Sequence, residues 1–196
     1  MNEPTVLIVP GLRDAVAQHW QTLLEQRLLA QGRRVAAVPP MGREDLDCAR
    51  KVAAIERTVQ SIDGPIVIVA HSGGCVMVAH WARQAHRGAH FEVQGALLAA
   101  PADFETTLPA GYPARADLRA GGWLPVPRSR LPFRSIVAAS RDDPLARYER
   151  TVELAEAWGS RLVDLGAVGH LNPASGFGPW PLAEDFIHEL GAATGR

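Results

Sequence analysis

Residues 66–85 read IVIVAHSGGCVMVAHWARQA. Ile66–Ala70 is a continuously apolar run rich in β-branched residues, as expected of a strand covered on both faces. His71-Ser72-Gly73-Gly74 follows at once, and a helix-like apolar pattern runs from 73 to 86. A serine therefore stands between a buried strand and a helix, ringed by very small residues. A nucleophile elbow needs small residues two places before and two places after its serine, because the strand and helix backbones nearly touch there. Ala70 and Gly74 fill those places. The other candidate, a phosphate-cradling turn, lacks G-x-G-x-x-G spacing and the lysine of G-x-x-x-x-G-K-[ST]. An ordinary structural turn is the third reading.

The rest of the chain supplies the context. Thr5–Val9, Val35–Val38, Ala96–Ala100, Ile136–Ala139 and Leu162–Leu165 are further short apolar runs, several closed by proline or glycine. Between them lie helical periodicities: Val16, Trp20, Leu23, Leu24 and Leu28 within 14–31, and Ala49, Val52, Ala53 and Val59 within 45–62. Leu145, Tyr148, Val152 and Ala155 mark 144–158, and Leu182, Phe186 and Leu190 mark 181–192, where Pro181 opens the helix. Strand and helix alternate throughout, which predicts a mostly parallel six-stranded sheet sandwiched between helices, in one domain spanning 1–196. Residues 101–134, rich in Pro, Gly and Arg, are too long for an ordinary connection and suggest a flap or a short extra helix, not a large cap domain.

Ligands of an open parallel sheet bind beyond the carboxyl ends of its strands, and Ser72 sits at such an end. A serine hydroxyl needs a base to take its proton, and in this architecture the chain order is serine, acid, histidine. Only His170 and His188 lie well downstream of Ser72. His188 falls inside the terminal helix, whereas His170, in Gly169-His170-Leu171-Asn172, follows the sixth strand at the same sheet edge. His71, inside the elbow, is expected to point away from Ser72. The acid is expected after the fifth strand, in Ser140-Arg141-Asp142-Asp143-Pro144. Asp143 is the first candidate, although aspartate before proline is also a good helix cap. Asp142 and Asp103 stay open on position alone. The second oxyanion donor belongs in the loop after the first strand, where Gly11 permits the turn and the Leu12 N–H is placed to donate. The first donor is the Gly73 N–H. Trp20, Trp123, Phe177 and Trp180 are candidate pocket walls, with Trp20 and Trp180 equally suited to the core.

Composition removes other classes. The 196 residues are 47% hydrophobic and 21% charged, with a formal net charge of −1. Such a chain has no broad attraction for nucleic acid or an anionic membrane. Lys51 is the only lysine, a compositional bias toward arginine. Arg128, Arg130 and Arg134 read as a solvated loop. Cys48 and Cys75 form neither a metal motif nor a disulfide framework, and reduced thiols suit a cytoplasmic protein. MNEPTVLIVPGL lacks the basic and apolar regions of a secretory signal. No stretch approaches the ~18 apolar residues of a membrane helix. No metal or cofactor is implied.

These residues together resemble the small, lidless α/β-hydrolases of the retinoblastoma-binding-protein-9 type, the YdeN-like serine hydrolases. The resemblance runs through the Pro10-Gly11 loop, His19-Trp20, the Ala70-His71-Ser72 elbow and Ala139-Ser140-Arg141-Asp142-Asp143-Pro144. It continues through Gly169-His170-Leu171-Asn172 to Ser175-Gly176-Phe177-Gly178-Pro179-Trp180-Pro181. It implies an α/β-hydrolase fold and, with the aspartate before proline as acid, a Ser72–His170–Asp143 triad; the partner expected is a small-molecule acyl substrate. The Leu-x-Cys-x-Glu segment associated with retinoblastoma binding is not matched: Leu46-Asp47-Cys48-Ala49-Arg50 ends in arginine. A pocket-protein partner is therefore not expected. The expected activity is hydrolysis of small to medium esters, thioesters or activated amides. A binding or scaffold protein on a hydrolase fold, an aminopeptidase-like amidase and an acyltransferase are the rivals.

Overall fold

Along each of its central strands the apolar residues split between two sides. Leu7 and Val9 face one core while Val6 and Ile8 face another, and Ile66, Ile68 and Ala70 oppose Val67 and Val69 in the same way. A strand sends successive side chains to opposite faces, so two separate cores mean helices on both sides. The structure is a computed structural model that describes residues 3–13, 16–42, 44–85 and 92–192.

The strands are β1 (Thr5–Val9), β2 (Val35–Ala37), β3 (Ile66–His71), β4 (Val93–Ala99), β5 (Arg134–Ala139) and β6 (Arg161–Asp164). They form one sheet in the order β2-β1-β3-β4-β5-β6, and every pairing is parallel. The helices are α1 (Trp20–Ala30), α2 (Cys48–Gln60), α3 (Gly73–Ala85), α4 (Arg115–Ala120), α5 (Tyr148–Trp158) and α6 (Leu182–Gly191). Helices α2, α3, α4 and α5 cover one face with a core that includes Ile55, Val76, Phe104, Trp123 and Trp158. The other face carries α1 and α6, packed through Trp20, Leu24, Leu28, Phe186 and Ile187.

From β1 the chain moves outward to β2, then returns across β1 to β3. The connections after β1 and β3 therefore diverge, and the crevice that opens between them is where an open parallel sheet takes a ligand. The sequence places all six strands correctly, with ends differing by a few residues. Three helical faces differ from expectation. Ala49 and Ala53 are exposed, while Val52 and Val59 are buried as expected and Ile55 joins them. Leu182 opens α6 on the solvent side, and Val16 stands exposed ahead of α1. Helix α1 begins only at Trp20; the expected start at 14 and the expected end of α3 at 86 lie outside the described residues. The segment 101–134 does hold a short helix, α4, and is otherwise turns and coil.

Candidate active site

The turn after β3 is tight in a measurable way. Ser72 has φ of 56°, in the left-handed region that a side chain rarely enters. A Cβ added to Gly74 would lie 2.6 Å from the carbonyl oxygens of both Val9 and Pro10, so α3 starts in contact with the end of β1. A Cβ on Gly11 would come within 3.2 Å of Ser72 Cβ. Small residues at these places are thus a steric requirement, and the result lifts Ser72 to the rim of the sheet.

His170 reaches Ser72 from the loop after β6. Its Nε2 is 2.8 Å from Ser72 Oγ, and its Nδ1 is 2.8 Å from Asp143 Oδ2 and 2.9 Å from Oδ1. A carboxylate only accepts, so Nδ1 carries the proton and Nε2 is left to accept from the serine hydroxyl. The His170 and Asp143 side chains are 4% and 3% exposed, so the chain of bonds is shielded from water on the acid side.

The His170 loop is built for this placement. Gly169 has φ of 61°, and a Cβ there would lie 2.4 Å from Ser175 Cβ and Oγ. Ser175 Oγ accepts the His170 N–H at 3.0 Å, and Asn172 caps the short 3-10 turn Pro173–Ser175 by accepting the Ser175 N–H at 2.9 Å. Asp142 accepts the Gly169 N–H at 2.7 Å and the Ser140 hydroxyl at 2.9 Å. Those two bonds, the first the stronger, hold the Asp142 carboxyl below its ordinary pKa. Asp142 therefore organises the histidine loop and does not touch the imidazole. Asp143 accepts the Leu145 N–H at 2.8 Å, but it does not cap α5, which starts at Tyr148 after Arg147. Asp103 is committed elsewhere: its buried carboxylate meets Arg150 Nε at 3.0 Å. His188 lies within α6.

Ser72 and His170 open into a cavity of about 620 Å³. Its apolar wall includes Leu12, Phe104, Leu108, Tyr112 and Leu145, and its polar groups include Arg13, His19, Glu44 and Asp117. Arg13 lies 4.1 Å above the Tyr112 ring and donates to the Gly111 carbonyl, so the loop after β1 clasps the 101–134 segment across the site. Leu12 lines the cavity, and a Cβ on Gly73 would meet its Cγ at 2.8 Å.

The aromatic expectations need correction. Trp20, Trp123, Phe177 and Trp180 are not among the cavity-lining residues. Trp20 and Trp123 are fully buried; Trp123 donates to the Leu46 carbonyl, and Trp20 packs edge-on against Trp180. Phe177 packs against Trp180 in turn. The aromatic part of the wall, Phe104 and Tyr112, comes from 101–113, where a loop of mixed composition carries no periodic signal. Arg134 is also not a loop residue: it opens β5 and donates to the carbonyls of Leu190 and Ala192 at the end of α6.

His71 is likewise more than a spacer. It is buried, and its Nε2 lies 2.9 Å from the His170 carbonyl oxygen. His19, the cap of α1, has its ring 4.7 Å from that of His71. Burial first, then the nearby His170, pushes His19 down to about 4. Burial and the same neighbours hold His71 well below its ordinary pKa. Both thiols are buried and unbridged, and burial raises the pKa of each, so neither is a rival nucleophile. Among the described residues no group of three or more His, Cys, Asp or Glu is arranged to hold a metal ion, and no helix is long and apolar enough to cross a membrane.

A family model described as serine hydrolase matches residues 6–189. Among solved structures, a YdeN-like hydrolase from Pectobacterium atrosepticum superposes with a TM-score of 0.78 at 29% identity, covering 97% of this chain and 94% of that one. The ydeN gene product of B. subtilis gives 0.72 at 19% identity, over 95% and 98% of the two chains. Est1E from Butyrivibrio proteoclasticus, solved with ferulic acid bound, gives 0.67 at 14% identity, over 96% and 86%. These last two likenesses speak for the α/β-hydrolase fold. No match is found among curated proteins.

Proposed function

This chain belongs to the serine hydrolase family, and from that premise we propose that it hydrolyses small to medium acyl esters and thioesters through a Ser72–His170–Asp143 triad. The observation that carries the reading is the unbroken line of hydrogen bonds from Ser72 Oγ through His170 to Asp143, opening on a cavity.

In this mechanism Ser72 Oγ attacks the acyl carbonyl while His170 Nε2 takes its proton. Asp143 holds the Nδ1–H tautomer and stabilises the imidazolium. The oxyanion is received by two backbone N–H groups. Gly73 offers one because the first N–H groups of a helix have no intrahelical partner. Leu12 offers the other from the loop pressed against α3. Each such donor is worth ~10²–10³ in rate. His170 then returns its proton to the leaving group, and water, activated by the same imidazole, releases the acyl group from Ser72. No step calls for a cofactor.

Cavity size, and the lack of a cap domain among the described residues, favour short and medium acyl chains. A second reading has its own support: Glu44 and Asp117 line the cavity and suit a substrate bearing an amine, as an aminoacyl ester or amide does. A p-nitrophenyl ester series from acetate to palmitate, run beside aminoacyl esters and anilides, tests both. Highest kcat/KM on acetate to hexanoate is expected. A maximum at palmitate contradicts the size argument, and a preference for aminoacyl substrates selects the second reading. The buried free thiols suit a reducing, cytoplasmic setting, and the near-neutral net charge favours a small-molecule partner over nucleic acid.

A further inference from the structure

The triad leaves one buried titratable side chain beside it without a task. His71 precedes Ser72, so strand alternation sends its ring to the opposite face of the sheet, toward α1 and the loop after β6. There it is 5% exposed, wedged between His19 and His170 with ring centroids 4.7 and 4.9 Å away, and set edge-on to Trp20. A buried imidazole in such a place needs a hydrogen-bond partner. It has one in the His170 carbonyl oxygen, 2.9 Å from Nε2. A carbonyl cannot donate, so His71 does.

The bond falls where backbone control matters. His170 lies between Gly169 and Leu171, whose φ angles of 61° and 49° are both left-handed, and Leu171 has a side chain. Asp142 and Ser175 restrain this segment through the Gly169 and His170 N–H groups. Both sit on the loops that carry the acid and the base. His71 restrains it from the turn that carries the nucleophile.

We propose that His71 is a positioning residue: its Nε2–H, given to the His170 carbonyl, fixes the distance between His170 Nε2 and Ser72 Oγ. This rests on the reading of Ser72 and His170 as nucleophile and base. It also gives His19-Trp20 a physical role, since those two rings hold His71 in place. Burial and two neighbouring imidazoles keep His71 neutral, the form with a single N–H to direct.

Two variants separate positioning from packing. His71→Gln keeps an N–H at similar reach, while His71→Phe keeps the ring and removes the donor. With p-nitrophenyl acetate, His71→Phe is expected to lower kcat about 10–100-fold, the cost of an ångström-scale misplacement, with KM little changed. His71→Gln is expected to recover most of that loss. Equal losses in both variants, or wild-type kcat in His71→Phe, overturn the proposal. Should His71→Phe fail to fold, the wild-type tautomer decides: long-range ¹H–¹⁵N spectra are expected to show Nε2–H on His71, and Nδ1–H overturns the assignment. A folded wild type inert to esters and phosphonates refutes the parent reading, and this proposal with it. A reactive wild type beside an unimpaired His71→Phe refutes this proposal alone.

Discussion

Gly74→Ala puts the construction of the elbow to a quantitative test. The new methyl carbon would stand 2.6 Å from two carbonyl oxygens, those of Val9 and Pro10, and 3.1 Å from the Pro10 carbonyl carbon. A close C–H···O contact has C···O near 3.3 Å, so β1 and α3 must part by roughly 0.7 Å. The opposing atoms are backbone, and no side chain can rotate away. Overpacking of this kind costs about 1–3 kcal/mol. For a domain of this size that lowers Tm by roughly 2–4 °C per kcal/mol. The displaced segment leads into Gly11 and Leu12, so the oxyanion site should open together with the fold, and a shift of this size costs up to about 10²-fold in kcat. Gly178→Ala is the control: beyond its own chain neighbours, nothing lies within 4 Å of its Cβ position. Its stability should stay within about 0.5 kcal/mol of wild type. Differential scanning fluorimetry and ester hydrolysis read both variants. A Gly74→Ala protein with the melting temperature and kcat of Gly178→Ala would refute the claim that strand and helix touch here.

Other perturbations test other parts. Asp143→Asn should keep the fold and lower kcat by about 10⁴, because an amide no longer enforces the Nδ1–H tautomer; Asp142→Asn, one residue away, should lower it much less. Arg150→Met strands the buried carboxylate of Asp103, which Arg150 meets at 3.0 Å. The loss should be about 3 kcal/mol, the low end for a broken buried pair, since Arg150 is itself partly exposed, and urea denaturation measures it. His19 and His71 have folded pKa values below the unfolded one. The unfolded chain therefore binds more protons, and stability, complete above about pH 6.5, must fall as pH drops toward 4. A Tm that stays flat or rises on acidification through that window contradicts it.

Much of this molecule was legible in its sequence, for reasons that can be named. The central strands β1, β3, β4 and β5 are largely buried on both faces, so each reads as an apolar run, several of them closed by Pro or Gly; the edge strands β2 and β6 are only partly covered. The elbow stands out because backbone contact at Gly74 tolerates nothing larger. His170 follows from chain order and from the turn residues around it. Residues whose role depends on partners far along the chain were hidden. Asp103 and Asp143 both follow strands, and position alone left both open; the family resemblance pointed to Asp143, and the structure pairs Arg150 with the first and His170 with the second. The cavity walls could not be read because Phe104, Leu108 and Tyr112 belong to a segment without periodicity, while the tryptophans that drew attention fill the cores. Ala49 and Ala53 misled because alanine is as much at home on an exposed helix face as on a buried one. His71 was half legible: alternation turned it from Ser72, but nothing local showed that the His170 loop would be waiting on that face.

The central claim is that Ser72 is a nucleophile activated by His170. Labelling with a fluorophosphonate, followed by intact mass and peptide mapping, tests it most directly. One adduct per chain is expected, on Ser72, absent in Ser72→Ala and strongly slowed in His170→Ala. A folded wild type that takes no label, or labels equally well without His170, would contradict it.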